Sequence, residues 1–422
     1  MFETIINRLN GKKILILGFG REGKATLRFL EKHMPNSNIG IADINNIEIK
    51  SSLKPRLHCG PSYLSAISEY DIVVKTPGIS LKDIDTTDVE ISSQTDLFLS
   101  EFHQQTIGIT GSKGKSTTTS LIYHLLSKAG KDCILTGNIG IPCFDIMDNI
   151  NANTIVVFEL SAHQLEYIHN SPHIGVLLNV FEEHLDHFGC FEAYKKAKFN
   201  ILRHMGDSDY AIVHDSLHLD TMDMFVNQIV FSFIDFDFES IQLPLKGEHN
   251  ISNIRAALCA CLAYGLPYAT LIPHLHSFCP LEHRMEDVGV VKGIHYYNDS
   301  ISTIPQATIA ACQTLDKVTI LLIGGFDRHI DYSPLTDYLL KHPIPHLLFT
   351  GEAGQRIVNI LKEKDYHNCC HHYNTMDEAF SIIKGIALEG DIVLLSPAAA
   401  SYDKYKNFEE RGKHFKALAL SI

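Results

Sequence analysis

Short apolar runs alternate with amphipathic stretches from one end of this chain to the other, and that alternation is the pattern of an α/β protein. Near the start, Lys12–Leu17 reads as a strand, followed by Gly18-Phe19-Gly20 and a helix from about Gly23 to Lys32. A second strand ends in Ile41-Ala42-Asp43, and a third, Asp71–Val74, runs into Thr76-Pro77-Gly78. Together these predict a small Rossmann-like unit. In the middle, a strand over Thr106–Thr110 precedes a helix from Lys115 to about Ala129, and further strands are expected over Thr154–Glu159 and His173–Asn179. Helices follow from Phe191 to about Met205 and from Ile251 to Tyr264, the latter closed by Gly265 and Pro267. A third block has strands over Val318–Ile323, His346–Thr350 and Asp391–Leu395, and a last helix with Phe408, Phe415 and Leu418 at helical spacing. A chain of 422 residues exceeds what one core usually supports. Three α/β domains are expected: 1–98, 99–280 and 281–422.

Composition narrows the function. Apolar residues at 45% and charged residues at 20% are ordinary for a globular protein. A formal net charge of −13 argues against nucleic acid or anionic lipid as a partner, so positive charge for any anionic substrate must be concentrated in loops and at helix N-termini. Cys259 and Cys261 are too close for a CxxC pair, and Cys369 and Cys370 are adjacent, so zinc-type spacing is absent. Scattered thiols without a secretory signal point to a reducing, cytoplasmic setting. No segment approaches the roughly 20 apolar residues that span a bilayer.

The strongest local signal is the loop Gly111-Ser112-Lys113-Gly114-Lys115-Ser116-Thr117 between a strand and a helix. Glycines let backbone N–H groups turn toward phosphate oxygens, Lys115 reaches the terminal phosphates, and Ser116 can ligate Mg²⁺. The loop is a short form, because Ile109 stands where a GxxxxGK[ST] motif would begin. At the N-terminus, Gly18 to Gly23 spells GxGxxG, with Asp43 about 20 residues on, which by itself reads as a dinucleotide site.

Downstream lie Thr136-Gly137-Asn138-Ile139-Gly140, Glu159-Leu160-Ser161, Asn179-Val180-Phe181-Glu182-Glu183-His184-Leu185-Asp186, Tyr194-Lys195-Lys196-Ala197-Lys198 and His249-Asn250-x-x-Asn253. Then come Leu281-Glu282-His283-Arg284-Met285-Glu286, Asn298-Asp299-Ser300, Gly324-Gly325-Phe326-Asp327-Arg328, Leu395-Ser396-Pro397-Ala398-Ala399-Ala400-Ser401 and Lys406-Asn407-Phe408-Glu409-x-Arg411-Gly412. In this order, over essentially the whole chain, these motifs resemble the Mur ligases of bacterial cell-wall synthesis. The branch they most resemble adds D-glutamate to UDP-N-acetylmuramoyl-L-alanine, with ATP, two Mg²⁺ ions and a carbamate on a lysine.

The resemblance implies roles. Gly111 to Thr117, Asn253, Arg284 and Asp299 would bind ATP. Ser116 and Glu159 would hold one Mg²⁺, and His184 with carbamylated Lys198 the other. Lys115, His184 and Lys198 would be catalytic. The N-terminal unit would take uridine diphosphate instead of NAD, near Gly20, Arg21, Glu22, Asp43 and Gly78, with Asn138 beside the muramoyl group. Thr303, Arg328, Ser401 and Phe408 would bind the incoming amino acid. Plainer readings stand beside these: Glu159 as a strand-end surface carboxylate, Lys195 and Lys196 as exposed helical lysines, and His184 as one of 24 histidines. A monomer is expected, with the third domain closing over the first two.

The chain departs from the family pattern in places. Phe181 replaces a Thr, Glu183 an Asp, Arg328 a Lys and Ile301 a Lys, and Ile304-Pro305 follows Thr303. The glutamate pocket therefore differs on two sides, which leaves L-glutamate as a rival amino acid. Two further classes share parts of the pattern: a related ligase with another acceptor, and a nucleotide-binding protein without ligase activity. The TGNIG and KNFExRG segments speak against the first, and Glu159, His184 and Lys198 against the second.

Overall fold

A computed structural model describes residues 2–138, 141–217, 227–236, 247–278, 282–315, 317–366 and 368–421, the side chain of Asp186 apart. Ile139, Gly140 and Leu281 of the motifs above lie outside the described residues. The chain forms two compact units, Met1–Phe278 and Cys279–Ile422.

The first unit holds two sheets. One consists of β1 (Lys13–Leu17), β2 (Asn38–Asp43), β3 (Arg56–Cys59), β4 (Ile72–Lys75) and β5 (Glu90–Ser93), in the order β3-β2-β1-β4-β5 with every pair parallel. β1 is apolar without alternation because both faces are covered. Ile14 and Ile16 join one buried cluster, and Leu15 and Leu17 join another. The second sheet consists of β6 (Thr106–Thr110), β7 (Cys133–Gly137), β8 (Ile155–Glu159), β9 (Ile174–Leu177), β10 (Tyr210–Val213) and β11 (Asn227–Val230). Its order is β11-β10-β9-β6-β8-β7, again all parallel.

Ile107 and Ile109 of β6 pack with Leu121, Ile122 and Leu125 of the helix Lys115–Lys128 and with Ile254 and Leu258 of the helix Glu248–Ala263. On the other side, Val156 and Phe158 of β8 share a cluster with Ile14 and Ile16. Leu97, Phe98 and Leu99, in the helix Gln94–Phe102, belong to the same cluster. One core therefore joins both sheets, and the expected junction at 98/99 falls inside this buried helix.

The second unit has one sheet: β12 (Glu286–Val291), β13 (Ile294–Asn298), β14 (Ile320–Gly324), β15 (His346–Thr350), β16 (Cys369–His372) and β17 (Ile392–Leu395), ordered β12-β13-β17-β14-β15-β16. β12 runs antiparallel to β13 and the other pairs are parallel. Side chains alternate between two buried layers, Leu321, Ile323, Leu347 and Phe349 in one and Ile320, Leu322, Leu348 and Val393 in the other. Among the described residues no helix is long and apolar enough to cross a membrane.

Candidate active site

Strands β9, β6, β8 and β7 are neighbours in the second sheet and run parallel, so their carboxyl ends open on one side. In open α/β sheets that edge is where ligands bind. Asn138 follows β7, Glu159 ends β8, the glycine loop follows β6 and Asn179 lies just beyond β9. Four motifs far apart in sequence thus meet at one edge.

Gly114 begins the turn into the helix with φ +85°, and a Cβ there would stand 2.3 Å from Asn253 Oδ1. Only glycine takes that conformation at low cost. We expect Gly114→Ala to lower the melting temperature, with strain alone costing about 1–3 kcal/mol, and to abolish nucleotide-dependent activity. An unchanged melting curve would refute this reading of the turn.

The rest of the loop is clamped by the Asn179–Glu183 segment. The Ser112 N–H donates to Asn179 O at 2.9 Å, the Lys113 N–H to Asn179 Oδ1 at 2.9 Å, and Asn179 Nδ2 returns a bond to Lys113 O at 3.1 Å. Ser112 Oγ donates to Phe181 O at 3.0 Å, accepts from the Phe181 N–H at 2.9 Å and lies 2.9 Å from the Tyr194 hydroxyl. Phe181 acts here through its main chain, and the residue is 58% exposed, so a threonine is not required for this contact. Glu183 takes an ion pair from Lys113 at 2.6 Å.

Lys115 Nζ folds back onto Gly111 O at 2.8 Å and Ser112 O at 3.0 Å. Ser116 and Thr117 occupy the first turn of the helix Lys115–Lys128. Lys198 is only 1% exposed, donates to the same Gly111 O at 2.8 Å and lies 4.9 Å from the centre of the Tyr194 ring. Burial, then the neighbouring Lys115, holds its ammonium well below the ordinary lysine range, against the pull of Glu183. Lys196 is exposed, whereas Lys195 is half-buried, its ammonium 5.7 Å from the centre of the Phe199 ring, so the plain reading as an exposed lysine describes only Lys196.

Glu159 is 1% exposed, which corrects its reading as a surface carboxylate. Its Oε1 accepts from Asn138 Nδ2 at 2.8 Å, while the buried Oε2 has no hydrogen-bond partner among the described residues. His184 caps the short helix Leu185–Phe188 with φ +57°. Its ring centroid lies 4.8 Å from that of His163 and 6.0 Å from that of Tyr194, so the site gathers His184, Tyr194 and Lys198 in succession. His163 in turn meets His187 edge to face, and His187 Nε2 lies 3.1 Å from Glu166. Sequence reasoning did not single out Asn179, Tyr194 or His163. The first two carry a signal, since they sit within recognisable motifs, and His163 carries none.

In the first sheet, Gly20 caps the helix Arg21–His33, two residues earlier than the expected start at Gly23. Asp43 Oδ2 accepts from the Phe19 N–H at 2.7 Å, tying the carboxyl end of β2 to the glycine turn. Gly18 has φ +91°, and a Cβ there would stand 2.1 Å from Thr76 Oγ1, so glycine lets the β1 and β4 loops close on each other. Arg21 and Gly78 are exposed at that edge, whereas Glu22 points inward. Its Oε1 accepts from Gln164 Nε2 at 2.9 Å, and burial pushes its carboxyl up.

In the second unit, β13, β17 and β14 are neighbours whose carboxyl ends carry Asn298-Asp299-Ser300, Ser396–Ser401 and Gly325–Arg328. Arg411 knits these together. Its buried guanidinium donates to Ser300 O at 2.7 Å, Ser300 Oγ at 3.0 Å and Ala399 O at 3.2 Å. Ser300 Oγ donates in turn to Phe408 O at 2.8 Å. Arg328 Nη2 donates to Thr303 O at 2.6 Å, and Ser401 is buried just beyond the Phe326–Ala400 bridge. Asp299 is enclosed, accepting from Ser396 Oγ at 2.7 Å and from the Met285 N–H at 3.1 Å, and burial pushes its carboxyl up to about 6. Arg284 is half-buried and its Nε has no hydrogen-bond partner among the described residues.

A glycine loop opening a helix at the carboxyl edge of a parallel sheet is the architecture of phosphate-binding α/β proteins. Residues 109–261 match the Mur ligase middle domain, and residues 283–399 match the Mur ligase, glutamate ligase domain. The chain is 33% identical to UDP-N-acetylmuramoylalanine–D-glutamate ligase of Symbiobacterium thermophilum, with 87% of each chain covered. It is 30% identical to the enzyme of that name from Clostridium botulinum, with 98% of each covered. Its fold is similar to that of the MurF ligase of Thermotoga maritima in complex with ADP, with a TM-score of 0.61 at 17% identity over 97% of this chain and 95% of the other. The chain belongs to the Mur ligase family.

Proposed function

We propose that this chain joins D-glutamate to UDP-N-acetylmuramoyl-L-alanine at the expense of ATP, as a cytoplasmic step in building peptidoglycan precursors. The single observation that carries the reading is that the buried, half-satisfied Glu159 and the buried Lys198, which donates to Gly111 O of the glycine loop, both belong to this strand edge. A buried carboxylate oxygen without a donor calls for a cation. The donor set fits Mg²⁺, which Ser116 and Glu159 would hold at one position and His184 with carbamylated Lys198 at the other. Bound there, Mg²⁺ would neutralise charge on the transferred phosphoryl group.

The chain's own residues then divide the work. Gly111 to Thr117 cradle the phosphates, and Lys115 swings from its loop carbonyls to the terminal phosphate. The acceptor's terminal carboxylate takes that phosphoryl group, giving an acyl phosphate and ADP. The glutamate amine attacks the acyl carbon, and phosphate leaves with formation of the amide. Burial and the neighbouring Lys115 lower the basicity of Lys198 and so favour its uncharged amine, whose lone pair can add to CO₂, one N–H proton passing to water. The carbamate is anionic beside Lys115 and Lys113, where an ammonium is repelled. Uridine diphosphate is assigned to the 1–98 domain near Gly20, Arg21, Asp43 and Gly78, ATP to 99–280 with Asn253, and glutamate to 281–422 near Thr303, Arg328, Ser401 and Phe408. Asn138, which holds Glu159, sits beside the muramoyl group.

L-glutamate is the second reading, because Arg328 is tied to Thr303 O and Pro305 opens a helix just after Thr303. Phosphate release with each enantiomer and UDP-N-acetylmuramoyl-L-alanine decides between them. We expect the D-form to be preferred at least about tenfold, a difference of about 1.4 kcal/mol, and a preference for the L-form would reverse the assignment.

A further inference from the structure

His346, Cys369 and His371 place their three ligand atoms within 4.8 Å of one another, although adjacent cysteines at 369 and 370 offer no zinc-type spacing. The register explains it. His346 opens β15 and pairs directly with Cys369, which opens the edge strand β16. His371, two residues further along, shares a face with Cys369, and in-register partners on parallel strands share a face as well. Cys370 and His372 alternate to the other side. Strands β15 and β16 thus present one thiol and two imidazoles together at the amino end of the sheet. Thr350 ends β15 four residues on, about 13 Å away at strand rise, toward the edge that carries Arg328 and Ser401.

The spacing is that of a coordination site. His346 Nδ1 and His371 Nε2 are hydrogen-bonded at 3.3 Å. Two nitrogens each about 2.0–2.1 Å from a tetrahedral zinc ion would themselves lie about 3.3 Å apart. Cys369 is exposed, so an ion has a path in and a fourth position open to water. The other group of this kind among the described residues, His103, His173 and Asp209, differs. Asp209 Oδ1 already lies 2.9 Å from His173 Nδ1 and 3.2 Å from His103 Nε2, and Oδ2 accepts from the Gly206 N–H. Those groups already hydrogen-bond one another.

We infer that His346, Cys369 and His371 form a site for Zn²⁺ or a similar borderline divalent ion, which fastens the edge strand β16 to β15. A thiolate with two imidazoles selects against Mg²⁺, which prefers oxygen, so the phosphoryl-transfer metal would not compete. Zinc displaces the thiol proton, so binding releases about one proton per ion near neutral pH.

The test uses the full chain, stripped with EDTA and returned to Mg²⁺ buffer, then titrated with Zn²⁺ or Co²⁺ alone. One tight equivalent is expected, with proton release, a raised melting temperature, and in the Co²⁺ form a thiolate charge-transfer band with intense tetrahedral d–d absorption. Cys369→Ser should remove the band and the proton release, and His346→Gln should remove the melting shift. Both should keep the metal-free melting temperature and the glutamate-dependent phosphate release of wild type. If Cys369→Ser folds poorly, His346→Gln alone carries the comparison. A Co²⁺ spectrum without the thiolate band, or an equal tight equivalent in both variants, overturns the site.

Discussion

Lys198→Ala is expected to lower glutamate-dependent phosphate release by about 10²–10³-fold, the scale for losing a preorganised charge in a transfer site. Added short carboxylic acids should restore part of the rate. The reason lies in the position of Lys198, which is buried against Gly111 O and the Tyr194 ring, with Lys115 sharing the same carbonyl. Two cations on one carbonyl repel, and a carbamate converts one of them to an anion. Removing the side chain leaves space in which a small carboxylate can supply the missing negative oxygens. Rescue is the discriminating readout, because a merely structural lysine would not respond to acetate or formate. Lys198→Ala with wild-type rate removes the carbamate from the mechanism, and loss without rescue by any small acid reduces Lys198 to a packing role.

Glu159→Gln is expected to be comparably damaging, by about 10²–10³-fold, with a higher Mg²⁺ requirement. At the same time the folded protein should melt no lower than wild type. The glutamine keeps the shape and the bond from Asn138, yet removes a buried charge whose Oε2 has no hydrogen-bond partner among the described residues. An unsatisfied buried polar atom costs about 1–3 kcal/mol, more when charged. A residue retained at that cost serves the reaction and not the fold. Thermal melting beside the rate at several Mg²⁺ concentrations separates the cases: lost stability with unchanged rate would mark Glu159 as structural.

Elements were legible where periodicity is strong. The strands β1, β6, β8 and β15 and the helices Lys115–Lys128 and Phe408–Ser421 fall where apolar runs predicted them. The helix expected from Ile251 starts earlier, at Glu248, because Gly247 with φ +91° ends the preceding chain. Strands β3 and β16 carried no such signal. Both are edge strands, Arg56–Cys59 and Cys369–His372, whose side chains are exposed or half-buried, and an edge needs little apolar content to pair on one side.

The glycine loop and its order relative to Glu159, His184 and Lys198 were determined by sequence alone, because a strand, a turn and a helix are local structures. Tertiary structure decided what each residue faces. Glu22 reads as a member of a glycine turn but turns inward to Gln164. Phe181, a departure in side chain, clamps Ser112 with its main chain. Arg411, one residue of a terminal motif, binds loops that follow two different strands. His346 meets Cys369 only because β15 and β16 pair in that register. Periodicity specifies which face of a strand is buried and leaves open which strand lies beside it, so contacts set by strand order and register exist only once the sheets have formed.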